Sequence, residues 1–208
     1  MALRGTGPVA APGGVDPVAT LDRVPEHPAD PVPDQGVATV GVSIAIPEPF
    51  GSELESWRSS FGDPLASLVP AHITLLPPTP LSVEALDGAH RHLCEVAASH
   101  TCFDVMLRGA ATFQPVSPVV FVPVVRGIGD CERLQRKVRS GPLGRSLSFP
   151  YHPHVTVAHD LEAPKLEQAF ESLFDYAALF RACQFTLYQR DDAGVWSAWH
   201  SYDLAPAA

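Results

Sequence analysis

The sequence predicts a mixed helix–strand fold built by tandem duplication of one unit, and three features of the chain point to it. The triplet His-x-Thr followed by apolar residues occurs twice, as Ala71-His72-Ile73-Thr74-Leu75-Leu76 and within Tyr151-His152-Pro153-His154-Val155-Thr156-Val157-Ala158-His159. Each copy alternates like a strand, whose side chains point to opposite faces with period 2. Each copy is also followed by a helical pattern and then two strands, with ten residues from His72 to Ser82 and nine from His154 to Ala163.

Before the first copy, residues 1–37 hold seven prolines and five glycines. Such a segment buries too little apolar surface to offset the entropy of ordering it, so a disordered tail is expected. A domain is expected over 38–208, with lobes near 38–126 and 127–208. Its first strand is Ala38–Ile46, where Val40, Val42, Ile44 and Ile46 alternate with small residues. Ser52 is the expected cap of a helix carrying Leu54, Trp57 and Phe61. Pro77 and Pro78 close the first His-x-Thr strand, and Ser82 opens a helix running through Leu86, Ala89, Leu93 and Val96. Strands follow at Phe103–Arg108 and Val119–Val125; Pro123 inside the second marks a bulge or an unpaired position. A helix over about Gly129–Ser140 buries Cys131, Leu134 and Val138. After the second His-x-Thr strand come a helix from Ala163-Pro164 and two strands, Ala182–Tyr188 and Val195–Leu204, joined by the turn Asp191-Asp192-Ala193-Gly194.

The bulk composition narrows the function. A formal charge of -9 argues against a protein that grips long nucleic acid by overall electrostatics. The four cysteines, at 94, 102, 131 and 183, have no metal-binding spacing, and a reduced cytoplasmic setting is the simplest reading. The N-terminus lacks a signal-peptide core, and the longest apolar stretch falls far short of the ~20 residues that span a bilayer.

On each motif strand the histidine and threonine share a face, roughly 6–7 Å apart. Two such strands facing each other would place two imidazoles and two hydroxyls around one cleft. Opening a phosphodiester needs a base for the attacking oxygen and an acid for the leaving one, and imidazole serves in either state near neutrality. Hydroxyl donors would stabilise charge on the non-bridging oxygens. The bland alternative is a pair of half-buried histidines bonded locally. No metal or other cofactor is required.

The two motifs, their spacing and the duplicated unit resemble the two-histidine (2H) phosphoesterase superfamily over about residues 38–205. The closest group is that of bacterial 2'-5' RNA ligase-like proteins, also described as RNA 2',3'-cyclic phosphodiesterases. The resemblance implies an α+β fold of two pseudo-symmetric lobes, each a small antiparallel sheet with helices, flanking a central cleft. It implies His72 and His154 as the catalytic pair, and Thr74 and Thr156 as phosphate ligands. It further implies opening of 2',3'-cyclic phosphates to 2'-phosphates, with 2'-5' ligation in some members. Many members carry Arg five residues after the second histidine, where this chain has His159.

Three more residues are candidates for substrate contact: Tyr151, His152 and His159. Tyr151 could stack on a base or belong to the core. His152, His154 and His159 superficially resemble metal ligands, but Pro153 interrupts the first two, and His159 falls on the opposite face if the strand continues unbroken. The segment Arg126–Arg145 holds Arg126, Arg133, Arg136, Lys137, Arg139 and Arg145, six of the 14 basic residues. It is either a solvated helix face or a guide for RNA phosphates. The expected partner is an RNA end or a small nucleotide, with no membrane association and a monomeric chain; a non-catalytic nucleotide-binding module is the alternative.

Overall fold

The computed structural model describes residues 36–147 and 149–206, so the expectation of a disordered tail lies outside the described residues except at Gly36 and Val37. The elements run β1 (Val37–Ala45), α1 (Phe50–Phe61), β2 (His72–Ser82), a single 3-10 turn (Val83–Ala85) and α2 (Leu86–Ala98). Next come β3 (Phe103–Arg108), β4 (Ala111–Thr112), β5 (Val119–Arg126), α3 (Ile128–Val138) and β6 (His154–His159). The chain ends with α4 (Ala163–Ser172), β7 (Ala177–Ala182), β8 (Gln184–Arg190) and β9 (Trp196–Asp203).

The strands form two antiparallel sheets in an α+β architecture. One has the order β2-β1-β8-β9; the other has the order β4-β5-β3-β7, with β6 paired to β5. The pairings expose the duplication. β5 stands to β6 as β1 stands to β2, and β3 stands to β5 as β8 stands to β1. The repeated unit is therefore β1-α1-β2-α2-β3 and then β5-α3-β6-α4-β8, and the last strand of each unit crosses to the other unit's sheet. A division at residue 126 does not follow these sheets: the first takes strands from both ends of the chain. The helices cross as well, with α2 and α3 packing on the β2 sheet and α1 and α4 on β5 and β6.

The helix-covered faces hold the core. On β1 these are Val40, Val42 and Ile44, on β8 Phe185 and Leu187, and on β6 Val155, Val157 and Ala158, all buried. The opposite faces, with Ser43, Thr74 and Thr156, border the cleft. β2 and β6 are the cleft-side strands of their sheets and lie against each other.

Local details depart from the sequence reading for identifiable reasons. Ser52 lies inside α1, where its hydroxyl donates to Glu48 Oε1 at 2.7 Å; the helix starts earlier, at Phe50. Strand β2 continues through Pro77, Pro78 and Pro80, because an edge strand tolerates residues that donate nothing to a ladder. Pro123 sits where the outer neighbour of β5 changes from β4 to β3. β7 has no clear signal in the sequence: its alanine-rich stretch, Ala177-Ala178-Leu179-Phe180-Arg181-Ala182, has weak strand propensity and is held by pairing with β3. Cys102 and Cys183 form a disulfide with Cα atoms 4.4 Å apart, which departs from the reduced setting read from the cysteine spacing. They adjoin the register pair Phe103 and Ala182, a proximity that a sequence separation of 81 conceals.

The approach to β2 is pinned by a buried ion pair. Arg58 Nε donates to Asp63 Oδ2 at 3.0 Å, with the two side chains only 6% and 2% exposed. The same guanidinium donates to the Val69 carbonyl at 2.5 Å, and Asp63 Oδ1 accepts from the Leu65 N–H. Asp63→Ala strands a buried cation, which costs about 3–5 kcal/mol. Urea denaturation should show a lower midpoint at unchanged m-value; wild-type stability would show that the pair contributes nothing.

Candidate active site

The phase of β2 and β6 decides what reaches the cleft. On β2 the register steps from Leu76 opposite Val42 to Thr74 opposite Ser43, leaving Leu75 as an extra residue. On β6 it steps from Ala158 opposite Val120 to Thr156 opposite Phe121, leaving Val157 extra. Both extra residues lie three positions after the motif histidine. Such a bulge turns two consecutive side chains to one side and re-aims the side chains beyond it, and Leu75-Leu76 and Val157-Ala158 are accordingly buried in succession.

This shared bulge corrects the expectation for His159. Val119, Phe121 and Pro123 alternate along β5 and so share a face; their partners are His159, Thr156 and His154. His159 therefore returns to the side of His154 and Thr156, and an unbroken strand would have sent it away. Its side chain is only 11% exposed, and Nε2 lies 3.5 Å from Asp160 Oδ2.

His72 and His154 are half-buried and anchored in the same way. His72 Nδ1 is 2.8 Å from the Pro70 carbonyl, and His154 Nδ1 is 2.6 Å from the His152 carbonyl. A carbonyl oxygen only accepts, so Nδ1 carries the proton in both rings. Nε2 is then the nitrogen with the lone pair in the neutral ring and with the second proton in the imidazolium. Each ring is thus held in one tautomer by the backbone two residues upstream of it.

Tyr151 ties the two motifs together. Its hydroxyl donates to the Thr74 carbonyl at 3.0 Å, and its ring packs against the core. Burial pushes the phenol well above its usual range, with the neighbouring Cys131 and Glu132 adding to the shift, so it stays a neutral donor. This commits the hydroxyl to holding the strands. His152 is exposed at the rim, its ring 6.1 Å from that of His154 and nearly parallel to it. Phe113 and Phe121, stacked at 4.1 Å, set their rings 5.1 and 4.9 Å from His154. Neither phenylalanine was singled out from sequence. Ser43, opposite Thr74, was missed too, although the small residues Gly41, Ser43 and Ala45 alternating with a valine–isoleucine stripe were a legible sign of an open face.

The basic segment splits up. Arg126 pairs with Asp104 at 3.3 Å, Arg133 pairs with Asp130, and Lys137 Nζ donates to the Ser99 carbonyl and hydroxyl. Arg145 reaches back to β2, donating to the Pro78 carbonyl and Thr79 Oγ1, and Arg139 donates to the Arg145 carbonyl. Burial, and then the Arg145 charge, lower the Arg139 pKa. Among the described residues no group of three or more His, Cys, Asp or Glu converges to hold a metal ion, and no helix is long and apolar enough to cross a membrane.

Comparison with known proteins identifies the architecture. A family model described as the 2'-5' RNA ligase superfamily matches residues 46–194, well over half of the chain. A protein of Oceanobacillus iheyensis, provisionally designated a phosphoesterase, is 26% identical over 171 residues, covering 79% of this chain and 96% of its own length. A similarly designated protein of Halalkalibacterium halodurans is 25% identical, covering 79% of this chain and 96% of its own. Among solved structures, E. coli LigT complexed with 3'-AMP shares the fold at a TM-score of 0.61 and 21% identity, over 81% of this chain and 99% of LigT. With two matched His-x-Thr strands at one cleft, this chain belongs to the 2'-5' RNA ligase superfamily, a family of two-histidine phosphoesterases.

Proposed function

We propose that the protein is a metal-independent phosphodiesterase that opens 2',3'-cyclic phosphates, at RNA ends or on nucleotides, to 2'-phosphates. His72 and His154 act as the acid–base pair, and Thr74 and Thr156 hold the phosphate. The observation that carries this reading is the matched anchoring of the two imidazoles: both donate Nδ1–H to a backbone carbonyl, which makes Nε2 the nitrogen that gains and loses a proton. A core histidine needs no such arrangement, and its occurrence twice beside a threonine fits a two-proton reaction.

In the reaction one neutral imidazole takes a proton from water as its oxygen bonds to phosphorus. The bond from phosphorus to the 3'-oxygen breaks, and the other ring, as imidazolium, protonates that oxygen. The threonine hydroxyls donate to the non-bridging oxygens, where negative charge builds. A nucleotide 5'-hydroxyl in place of water would leave a 2'-5' linkage by the same proton transfers. The related LigT crystal structures carry 3'-AMP, NADP+ and ATP, which supports a nucleotide as ligand here. A non-catalytic nucleotide-binding module on the same fold is the competing reading.

Removing either imidazole should lower kcat by about 10²–10⁴-fold. The double variant His72→Ala/His154→Ala should fall little further than the worse single variant, because the two groups act in one step. The wild-type rate should be bell-shaped in pH, lost on the acid side as the base is protonated and on the alkaline side as the acid is deprotonated. A folded His72→Ala protein with undiminished turnover of a 2',3'-cyclic nucleotide would remove this mechanism.

Chelation gives a separate check. Turnover assayed with excess chelator should equal turnover without it. Activity lost on chelation and restored by a divalent ion would require a metal-assisted route.

A further inference from the structure

We propose that the cleft face of the β2-β1-β8-β9 sheet is a nucleoside subsite, with Trp196 as the platform for the base and Ser43 as a hydroxyl contact beside Thr74. Register alone assembles one row of hydroxyls across four strands. Ser43 lies opposite Thr74 on one side and Thr186 on the other, and Thr186 lies opposite Ser201. Thr186 and Ser201 are bonded to each other at 2.9 Å. Ser43 is 6% exposed, and among the described residues no hydrogen bond engages its hydroxyl. That hydroxyl stands next to a threonine of the motif and is bonded to no described group of the protein, so a ligand oxygen can take it as a partner.

The floor beside this row is left open by glycine. A Cβ on Gly41 would lie 3.3 Å from Cζ3 of Trp196, so the indole reaches across from β9 to rest on β1. Trp196 stays half-exposed there, on the face that carries Thr74. The equivalent positions beside the second motif are closed. Phe121 stands opposite Thr156 where Ser43 stands opposite Thr74, Pro123 matches Ala45, and Phe113 stacks on Phe121. Of two surfaces related by duplication, one is filled with apolar rings around His154, and the other offers hydroxyls and an indole face. Sugar oxygens and a flat base fit the latter, because an aromatic plate accepts any base by stacking.

The inference rests on the phosphoesterase reading and is tested with two substrates sharing a five-membered cyclic phosphate: adenosine 2',3'-cyclic phosphate, and glycerol 1,2-cyclic phosphate, which has no base. Trp196→Leu should raise KM for the adenosine substrate about 10- to 100-fold with kcat little changed. It should leave kcat/KM for the glycerol substrate at the wild-type value. Trp196→Phe should recover most of the loss, and Gly41→Ala, which pushes the indole by a few tenths of an ångström, should move KM in the same direction by a smaller amount. Ser43→Ala should raise KM for the adenosine substrate several-fold while the glycerol substrate changes less. Circular dichroism verifies folding, and Gly41→Ala with Trp196→Phe decides the matter if Trp196→Leu fails to fold. Equal losses on both substrates, or an unchanged KM for the adenosine substrate, would overturn the subsite. Should the wild type hydrolyse neither compound, the phosphoesterase reading fails by itself, and calorimetric titration with 3'-AMP then judges the subsite alone. Weaker binding by Trp196→Leu upholds it; unaltered binding, or none to the wild type, removes it.

Discussion

An extra residue three positions after the motif histidine, in each of two edge strands, governs what this protein presents to its cleft. Leu75 in β2 and Val157 in β6 break the ladder at the same distance from the motif histidine. Before the break, His and Thr face the cleft while Ile73 and Val155 enter the core. After it, two consecutive apolar side chains are buried and the next position is turned back toward the cleft. A flat strand would have had to leave either Leu76 and Ala158 outside or the motif pair inside, since a period of two allows no third choice. The bulge therefore lets a well-filled core and a polar cleft use the same short strand.

The histidines inherit their orientation from the residues upstream. The Pro70 carbonyl that receives His72 Nδ1–H belongs to a loop fixed by the buried Arg58–Asp63 pair, by the bond from Arg58 to Val69, and by Glu55 accepting the Ala71 N–H at 3.0 Å. The His152 carbonyl that receives His154 Nδ1–H lies next to Tyr151, whose phenol bonds across to Thr74. The supports differ in chemistry, a charged peg on one side and a neutral phenol on the other, yet they hold the two rings in one tautomer. The phenol also couples the motifs, because movement of β2 away from β6 breaks the Tyr151–Thr74 bond.

Duplication supplied symmetry, and the side chains around the motifs have since abandoned it. Strand β1 offers Gly41, Ser43 and Ala45 to the cleft where β5 offers Val119, Phe121 and Pro123. Aromatic rings line the side near His154, while small residues and hydroxyls line the other. The two walls of the cleft are therefore chemically distinct, which two equivalent copies of the motif surroundings would not be.

The sequence by itself determined the two His-x-Thr strands, the order of helices around them and the class of fold, because period-2 alternation and matched spacing are local properties. It also marked the small residues of β1, though not what they face. Only the tertiary structure decided which strands share a sheet: β8 and β9, at the far end of the chain, complete the sheet begun by β1 and β2, and β3 crosses to join β5. Pairing of that kind leaves no local mark in the sequence; β8 meets β1 through residues more than a hundred positions apart, as with Ser43 and Thr186. The same holds for the Cys102–Cys183 link, for the weak strand β7 that exists through its partner, and for the indole of Trp196 resting on Gly41. The side taken by His159 was hidden for a different reason. A bulge has no residue signature in Val157-Ala158, and it arises because β6 must match the ladder of β5 while burying both side chains.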